Sequence, residues 1–257
     1  MKIAVCLYGL IGGSTGRDGE GELLDPKISY DSYKKNLFKD NEIDFFIHSW
    51  NKDYEKEIIE LYSPKKYLFE EQFDFSHISY KDYLIDHIDT YRAIFENYSG
   101  NIGDKLLTGI AQRSNSRWLS AKKSINLFKD YCKETGTNYD LVIHLRFDLF
   151  FVKELLIDEK FLGEFSCVRR ERDNDEAIDD LIFISTPKQA IEFSKLKDNI
   201  FNYSIRPPFA AMQHLKHLKI IPKFNIKKDT FILTRNIKKK KNLFSRIKNK
   251  IKKFIRH

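Results

Sequence analysis

The sequence predicts an α/β fold in which a mostly parallel central sheet is flanked by helices. Short apolar runs of strand type recur along the chain, and amphipathic patterns of helical period separate them. Strands that alternate with helices usually lie parallel in one sheet, so this alternation favours parallel pairing. The predicted strands are KIAVCLY (2–8), DFFIHS (44–49), KYLFE (66–70), YDLVIHLRFDLFF (139–151) and LIFIS (181–185).

Helical patterns separate these strands, and local signals mark several helix ends. Ser63-Pro64 is expected to stop one helix, and Gly136 follows the end of the longest pattern. Thr186-Pro187 supplies an N-cap followed by proline in the first turn. The predicted helices are 29–39, 53–61, 106–133, 188–197 and 209–217, and residues 219–222 are predicted to be extended.

The length and composition suit one large domain, or a domain with a small appendage. The chain has 257 residues, of which 42% are hydrophobic, so it can bury a sizeable core. No apolar run reaches 18 residues, and the apolar start of the chain lacks the small-residue cleavage site of a signal peptide. Three scattered cysteines, Cys6, Cys132 and Cys167, are typical of reduced thiols in a cytoplasmic protein.

The basic character of the chain belongs to its C-terminal segment. The formal net charge is +8, but residues 238–257 hold ten Lys and Arg and no acidic residue, which leaves −2 for the remainder. We therefore predict a domain over residues 1–235 and a basic tail over residues 236–257. A nucleic-acid-binding face on the domain is disfavoured, because basic residues would then be spread over the fold.

The tail also has the pattern of an amphipathic helix. Its apolar residues follow helical spacing and its other face is basic, which predicts binding to an anionic membrane surface. The protein would then be cytoplasmic and peripheral on the inner membrane. An RNA-binding tail and a coiled partner helix are the alternatives. The apolar residues are Phe244, Ile247, Ile251, Phe254 and Ile255.

The most informative motif is the end of the 139–151 strand. Arg146 and Asp148 are separated by one residue, and residues i and i+2 of a strand point to the same side. Buried charges are costly unless they are paired or used. A guanidinium beside a carboxylate at this place suits the binding of a phosphate, or of a metal bound to a phosphate. The alternative is a structural ion pair that closes the sheet edge.

A glycine-rich loop follows the first predicted strand. Six of the eleven glycines lie in residues 9–21, and glycine allows backbone N–H groups to approach a pyrophosphate closely. Neither a GxGxxG motif in register nor a GxxxxGK[ST] motif is present, so a P-loop ATPase is disfavoured. The alternative is a mobile surface loop. The candidate donor-binding residues here are Tyr8, Gly9, Gly12, Gly13 and Arg17.

Two polar clusters accompany predicted strand and helix ends. Trp50 follows the 44–49 strand and could stack on a base or sugar ring, although the neighbouring His48 could equally be a structural residue. Gln112 and Arg113 belong to a polar patch that is placed at the predicted start of the 106–133 helix. We include Trp50, Gln112 and Arg113 among the candidate donor-binding residues; the alternative for the patch is a capped helix terminus.

An acidic run, residues 173–180, precedes the LIFIS strand. Most of it is expected to be a solvated loop, but Asp179 and Asp180 adjoin a buried strand. A carboxylate at this position could serve as general base on an acceptor hydroxyl. Three arginines just upstream, Arg169, Arg170 and Arg172, could offset phosphate charge.

Together these motifs resemble a family of bacterial and viral sugar-transferase-like proteins with a GT-A type, Rossmann-like fold. The genes of this family often accompany capsule or lipopolysaccharide genes. The resemblance covers roughly residues 1–220. Its matching pieces are CLYG (6–9), DFFIHSW (44–50), Tyr62 with Pro64 and Glu71-Gln72, YDLVIHLRFDLFF (139–151) and DDLIFISTPKQAIEF (179–193).

The resemblance implies a glycosyltransferase that moves a sugar from a nucleotide-sugar donor to a surface-glycan acceptor. In this family a DxD motif ends a strand and binds a divalent metal that holds the donor diphosphate. Here Asp148 matches the second carboxylate and Arg146 replaces the first. The leaving group would be stabilised by Mg²⁺ or Mn²⁺ on Asp148, or by Arg146 directly. Asp180 is the first candidate for general base and Asp179 the second.

Three other functions are compatible with the sequence. The first is transfer of a non-sugar group, such as a phosphoryl-type modification, to the same glycans. The second is a non-catalytic scaffold at the membrane that has kept a transferase-like fold. The third is RNA binding by the tail, which would depend steeply on salt concentration.

Overall fold

The structure, a computed structural model, describes residues 1–12, 23–39, 41–84, 101–170, 175–235 and 237. Within these residues, strands form a seven-stranded central sheet and a separate two-stranded sheet. The strands are β1 (Lys2–Gly9), β2 (Glu42–Ser49), β3 (Lys66–Phe69), β4 (Leu141–Arg146), β5 (Leu149–Phe151), β6 (Phe165–Val168), β7 (Ile182–Ser185), β8 (Pro222–Ile226) and β9 (Phe231–Leu233).

Five α-helices connect or flank these strands in the described part of the chain. Two of them have the N-terminal signals expected from sequence: Asp25 accepts from the backbone N–H of Lys27 ahead of a first-turn proline, and Thr186 forms a capping box with Gln189. The helices are α1 (Pro26–Asn36), α2 (Glu55–Tyr62), α3 (Asn101–Thr135), α4 (Pro187–Ser194) and α5 (Pro207–His217).

The strand order of the central sheet is β3-β2-β1-β4-β7-β6-β8. Strands β3, β2, β1 and β4 are parallel, and β6 is parallel to β8, whereas β7 is antiparallel to both of its neighbours. The prediction of an α/β fold with a mostly parallel sheet flanked by helices is therefore confirmed. Strands β2 and β3 lie on one side of β1 in the sheet, and β4 lies on its other side. The strand order therefore reverses between β1 and β4.

The two faces of the sheet bury different side chains, because successive residues of a strand point to opposite sides. On one face Val5 and Ile143 pack with Tyr33 of α1 and Ile58 of α2. On the other face, Ala4, Cys6, Phe46 and Val142 pack with Ile125 and Phe128 of α3 and with Ala190 of α4. The sheet is thus the middle of three layers.

Several predicted boundaries differ from the structure. The 139–151 strand is broken by a turn at residues 147–148, and only 149–151 continue, as β5 of the small sheet. The stretch 219–222 was predicted to be extended, but Lys219 has a positive φ of 57° and strand β8 begins only at Pro222. The helix predicted for 188–197 ends at Ser194 and continues as 3₁₀ turns over Lys195–Asn202.

The longest helix determines where the site lies. Only residues 136–140 separate α3 from β4, so the carboxyl end of α3 lies at the sheet edge where β4 begins. The 35 residues of α3 span about 52 Å, whereas the eight residues of β1 span roughly 26 Å. The second half of α3 therefore covers the sheet, and its first half extends past the carboxyl ends of the strands.

No helix in the described ranges is long and apolar enough to cross a membrane. The longest, α3, has a polar stripe along its first half. Of the predicted basic tail, residues 236 and 238–257 lie outside the described residues.

Candidate functional site

A cleft of about 790 Å³ lies at the carboxyl ends of β1 and β4, where the strand order of the sheet reverses. Open α/β sheets bind ligands at such reversal points, because the loops that leave the two strands run in opposite directions. The first half of α3 forms one wall of the cleft through residues spaced three or four apart. These wall residues are Gly109, Ile110, Gln112, Arg113, Ser116 and Arg117.

The structure brings most of the candidate residues together in this cleft, although they come from five separate parts of the chain. Two further candidates, Gly13 and Arg17, lie outside the described residues, as does Arg172. The candidates that line the cleft are Tyr8, Gly9, Gly12, Trp50, Gln112, Arg113, Arg146, Asp148, Asp179 and Asp180.

Arg146 and Asp148 form a bidentate pair in the floor of the cleft. The Nε of Arg146 donates to Oδ1 of Asp148 at 2.8 Å, and a terminal guanidinium nitrogen donates to Oδ2 at 2.5 Å. The side chain of Asp148 is only 6% exposed and that of Arg146 is 15% exposed. Burial lowers the pKa of Arg146, but the nearby Asp148 and Tyr8 outweigh it and raise this pKa overall. The guanidinium of Arg146 is therefore held in its charged form against Asp148.

A second ion pair lies beside the first. Arg117 of α3 binds the carboxylate of Asp180 closely, and the hydroxyl of Tyr8 donates to the backbone carbonyl of Asp180 at 3.1 Å. Burial, and then repulsion from Arg146, lowers the pKa of Arg117 to about 9. Two guanidinium groups are thus held close enough to repel each other within a largely buried site.

Asp179 differs from Asp180 in its surroundings. Both residues are buried, but no ion pair is formed by the Asp179 carboxylate within the described residues. Burial raises the pKa of Asp179, although Arg170 and Lys228 act in the opposite direction. A carboxyl group with a raised pKa accepts a proton more readily than an ion-paired one, so the surroundings of Asp179 favour proton acceptance more than those of Asp180 do. The general-base roles of Asp180 and Asp179 stay predictions.

The glycine-rich loop begins where β1 ends, and side chains of other elements fix its backbone. The Gly9 N–H donates to Oγ of Ser120 at 2.8 Å, its carbonyl accepts from Ser49, and the Ile11 N–H donates to Asn51. Gly12 has a φ of +105°, and a Cβ at this position would lie 3.2 Å from the Cβ of Asp148. A glycine is needed here, because the loop passes directly against the charged pair.

His48 has a structural role behind this loop. Its Nδ1 lies 2.7 Å from Oγ of Ser120 and its Nε2 lies 3.0 Å from Oε1 of Glu70. Because a carboxylate can only accept, Nε2 carries the proton and Ser120 donates to Nδ1. Burial lowers the pKa of His48 to about 4. The neutral imidazole thus orients the hydroxyl that holds Gly9.

Trp50 lines the cleft, but only 5% of it is exposed. It packs edge-on against His48 and lies 5.4 Å, ring centre to ring centre, from Phe73. Phe73 is 48% exposed and lines the same cleft. Stacking of Trp50 on a ligand ring stays a prediction, and the more exposed aromatic side chain of this wall is Phe73, which was not selected from the sequence.

Gln112 and Arg113 also lie elsewhere than predicted. They were expected at a helix start, but α3 begins at Asn101, so both are about three turns inside the helix. The amide of Gln112 donates to the backbone carbonyl of Ile78 at 3.2 Å. Both side chains therefore reach the cleft from a helix face rather than from a helix terminus.

Arginine dominates the positive charge of the cleft. Six of the twelve arginines in the sequence line it, and no lysine is among its lining residues in the described part of the chain. Sequence reasoning did not select Arg117, Arg206 or Arg235. Arg117 follows Arg113 by four residues, a spacing that places both on one helix face, and this signal was available. Arg206 and Arg235 reach the cleft only through the tertiary fold.

The residues of the cleft do not form a suitable set of metal ligands. Both oxygens of Asp148 already accept from Arg146, and the Asp180 carboxylate faces Arg117. In the described residues, no three His, Cys, Asp or Glu side chains converge to hold a metal ion. Hard divalent cations require several oxygen ligands that do not face another cation. The Mg²⁺ or Mn²⁺ site predicted at Asp148 stays a prediction, and the arrangement of charges favours binding of an anion.

Comparison with known proteins adds no family to this description. No family model matches the sequence, and a search of curated proteins finds no match.

Proposed function

We propose that the protein is a glycosyltransferase of GT-A type that moves a sugar from a nucleotide-sugar donor to a surface-glycan acceptor. The observation that carries the proposal is the cleft itself: an arginine-lined cavity at the strand reversal of a parallel sheet. Such a position suits a nucleotide, and guanidinium groups suit its diphosphate. The resemblance of the sequence motifs to capsule and lipopolysaccharide transferases supports the choice of sugar transfer.

In the proposed reaction, the acceptor hydroxyl attacks the anomeric carbon of the donor sugar. The Asp179 carboxylate takes the proton of that hydroxyl as the new C–O bond forms. The bond between the anomeric carbon and the phosphate oxygen breaks, and its electrons leave with the nucleoside diphosphate. Positive charge in the floor of the cleft stabilises this leaving group. The backbone of Gly9 and Gly12 borders the same space.

The basic tail would bring the enzyme to its acceptor. We propose that residues 238–257 bind the anionic inner membrane surface, where lipid-linked glycans are presented, so that the protein is cytoplasmic and peripheral. Each basic residue near such a surface contributes roughly 1 kcal/mol. Replacing Lys238–Lys241 by glutamine should release the full-length protein from phosphatidylglycerol vesicles. Unchanged co-flotation with these vesicles would contradict this role of the tail.

A thermal-shift panel tests the proposed function. The full-length protein is heated with UDP, GDP, CMP and their sugars, each with EDTA or with Mn²⁺. A ligand present at about 100 times its Kd should stabilise the folded protein by roughly 2.7 kcal/mol. We expect one nucleotide and its sugars to raise the melting temperature clearly above the others. A cooperative melt that no nucleotide shifts would overturn the proposal and favour the non-catalytic scaffold.

A further inference from the structure

We propose that Arg117 and Arg146 bind the diphosphate of the donor directly and perform the task that a divalent metal has at a DxD motif. This inference rests on the proposed function, because it concerns the same donor. Of the two routes that the resemblance leaves open, it takes stabilisation by Arg146 rather than by Mg²⁺ or Mn²⁺ on Asp148, and it adds Arg117. Four features of the cleft support it.

The first feature is the engagement of Asp148. Both of its carboxylate oxygens accept from one guanidinium, at 2.8 and 2.5 Å, and its side chain is nearly buried. A divalent ion placed on Asp148 would lie close to the charge of Arg146 and would be repelled by it. Asp148 is therefore better described as the residue that orients Arg146.

The second feature is that each of the two arginines is paired with a buried carboxylate. Asp148 accepts two hydrogen bonds from Arg146, and Asp180 contacts Arg117 through one oxygen. A guanidinium has five N–H groups in a planar fork, and these contacts occupy at most two of them. Each arginine thus has further N–H groups with which to bind phosphate oxygens.

The third feature is the repulsion between the two arginines. Arg117 of α3 and Arg146 of β4 line the same cleft. Burial, and then repulsion from Arg146, lowers the pKa of Arg117, although Asp148 and Asp179 act in the opposite direction. Binding of a diphosphate would reduce this repulsion further.

The fourth feature is the composition of the cleft lining. Six arginines and no lysine line it among the described residues, and guanidinium groups suit the diphosphate that links a nucleoside to a sugar. The lining arginines are Arg113, Arg117, Arg146, Arg170, Arg206 and Arg235, and the aspartates are Asp74, Asp148, Asp179 and Asp180.

Calorimetric titration tests the inference with UDP, GDP and pyrophosphate as probes, each in EDTA and in Mn²⁺. For at least one nucleotide, we expect the Kd in EDTA to lie within about 3-fold of that in Mn²⁺. Arg117→Lys and Arg146→Lys keep the charge but remove the planar fork, so each should weaken binding by about 10-fold or more, a loss of roughly 1.4 kcal/mol. Arg169→Lys is the matched control, because Arg169 is exposed, pairs with Asp175 and does not line the cleft.

A further variant, Arg146→Asp, would create a second carboxylate beside Asp148. We expect this variant to lose nucleotide binding in EDTA and to regain part of it in Mn²⁺; its thermal melt shows whether it is folded. If the unmodified protein binds nucleotide only with Mn²⁺, or if both lysine variants bind as tightly as the Arg169→Lys control, the inference is wrong while the proposed function survives. If no nucleotide binds under either condition, the proposed function fails, and this inference with it.

Discussion

The two ends of the central sheet carry charge in different ways. At the end where β1 and β2 begin, Asp44 is shared by Lys65 at 3.4 Å, Lys2 at 3.8 Å and the hydroxyl of Tyr139 at 2.7 Å. The lysines are partly exposed, and Lys2 also pairs with Glu42. At the opposite end the cations are arginines, and the carboxylates of Asp148 and Asp180 that pair with two of them are only 6% and 7% exposed. Lysine pairs at a surface close a sheet edge, whereas arginines paired with buried carboxylates in a cleft suit an anionic ligand.

The largest effect on activity is expected from Asp179→Asn, a substitution at the cleft end of the sheet. Loss of the general base should lower kcat about 100- to 10,000-fold, measured as release of nucleoside diphosphate, and should leave the Kd of the donor nearly unchanged. Asp175→Asn is a fitting control, because Asp175 is exposed and asparagine tolerates its positive φ of 61°. Equal activities of the two variants would remove Asp179 from the mechanism.

Asp179→Asn should lower activity but raise the stability of the folded protein at neutral pH. Burial raises the pKa of Asp179 in the folded protein, so the proton binds more tightly in the folded than in the unfolded state. The resulting stabilisation is full below the unfolded pKa of about 3.9 and is lost as pH rises through the folded value. Asp179→Asn should therefore be more stable than the unmodified protein at pH 7, and urea unfolding should show this advantage shrinking toward pH 4.

The next effect concerns acid stability, which we assign in part to His48 behind the cleft. Burial lowers its pKa from 6.5 to about 4, so its stabilising neutral form is present above pH 6.5 and is lost as pH falls toward 4. The shift corresponds to roughly 3 kcal/mol. His48→Gln should reduce the difference in unfolding free energy between pH 7 and pH 4 by up to this amount. Substitution of the exposed His77 by glutamine should leave the difference as it is.

A smaller effect is expected from Gly12→Ala. Its φ of +105° and the approach to Asp148 predict strain as well as displacement of the charged pair. Gly163→Ala is the comparison, because Gly163 has a φ of +77° and no atom within 4 Å of a Cβ. Both variants should lose about 1–2 kcal/mol of unfolding free energy, but only Gly12→Ala should weaken nucleotide binding. A Gly163→Ala variant with equally weakened binding would show that the close approach of Gly12 has no special role.

The smallest effect is expected at the other end of the sheet. Lys65→Gln removes an exposed partner of Asp44 while Lys2 and Tyr139 remain. Exposed ion pairs contribute about 0.2–1 kcal/mol, so chemical denaturation should detect a loss in that range at most. Nucleotide affinity should not change. A loss of nucleotide affinity in Lys65→Gln would show that the two ends of the sheet are coupled and would contradict their separate roles.

Sequence patterns predicted the centre of the fold better than its edges. Strands β1, β2, β4 and β7 are buried apolar runs, and each was located within a few residues. The antiparallel direction of β7 was not predicted, because a run of apolar residues does not indicate whether its strand lies parallel or antiparallel to its neighbours. Strand β6 is only four residues long and was missed, as was β9, which pairs with β5 through contacts between residues far apart in the chain.

The sequence located those residues of the cleft that directly follow a predicted strand. Arg146, Asp148 and the Gly9–Gly12 loop leave neighbouring strands, so the parallel sheet alone brings them together. The positions of Arg206 and Arg235 in the cleft depend on tertiary packing. Thr234 donates its N–H to the Asp148 carbonyl at 2.9 Å, and this contact positions Arg235, the next residue. The difference in surroundings between Asp179 and Asp180 depends on the ion pair of Asp180 with Arg117, and the position of Arg117 depends on the course of α3.

The most direct test of the central claim is a crystal structure of the protein with the nucleoside diphosphate that the thermal-shift panel selects. The account predicts that its phosphates lie within hydrogen-bond distance of Arg117 and Arg146, at the carboxyl ends of β1 and β4. A nucleotide bound elsewhere, with the arginine-lined cleft empty, would contradict the account.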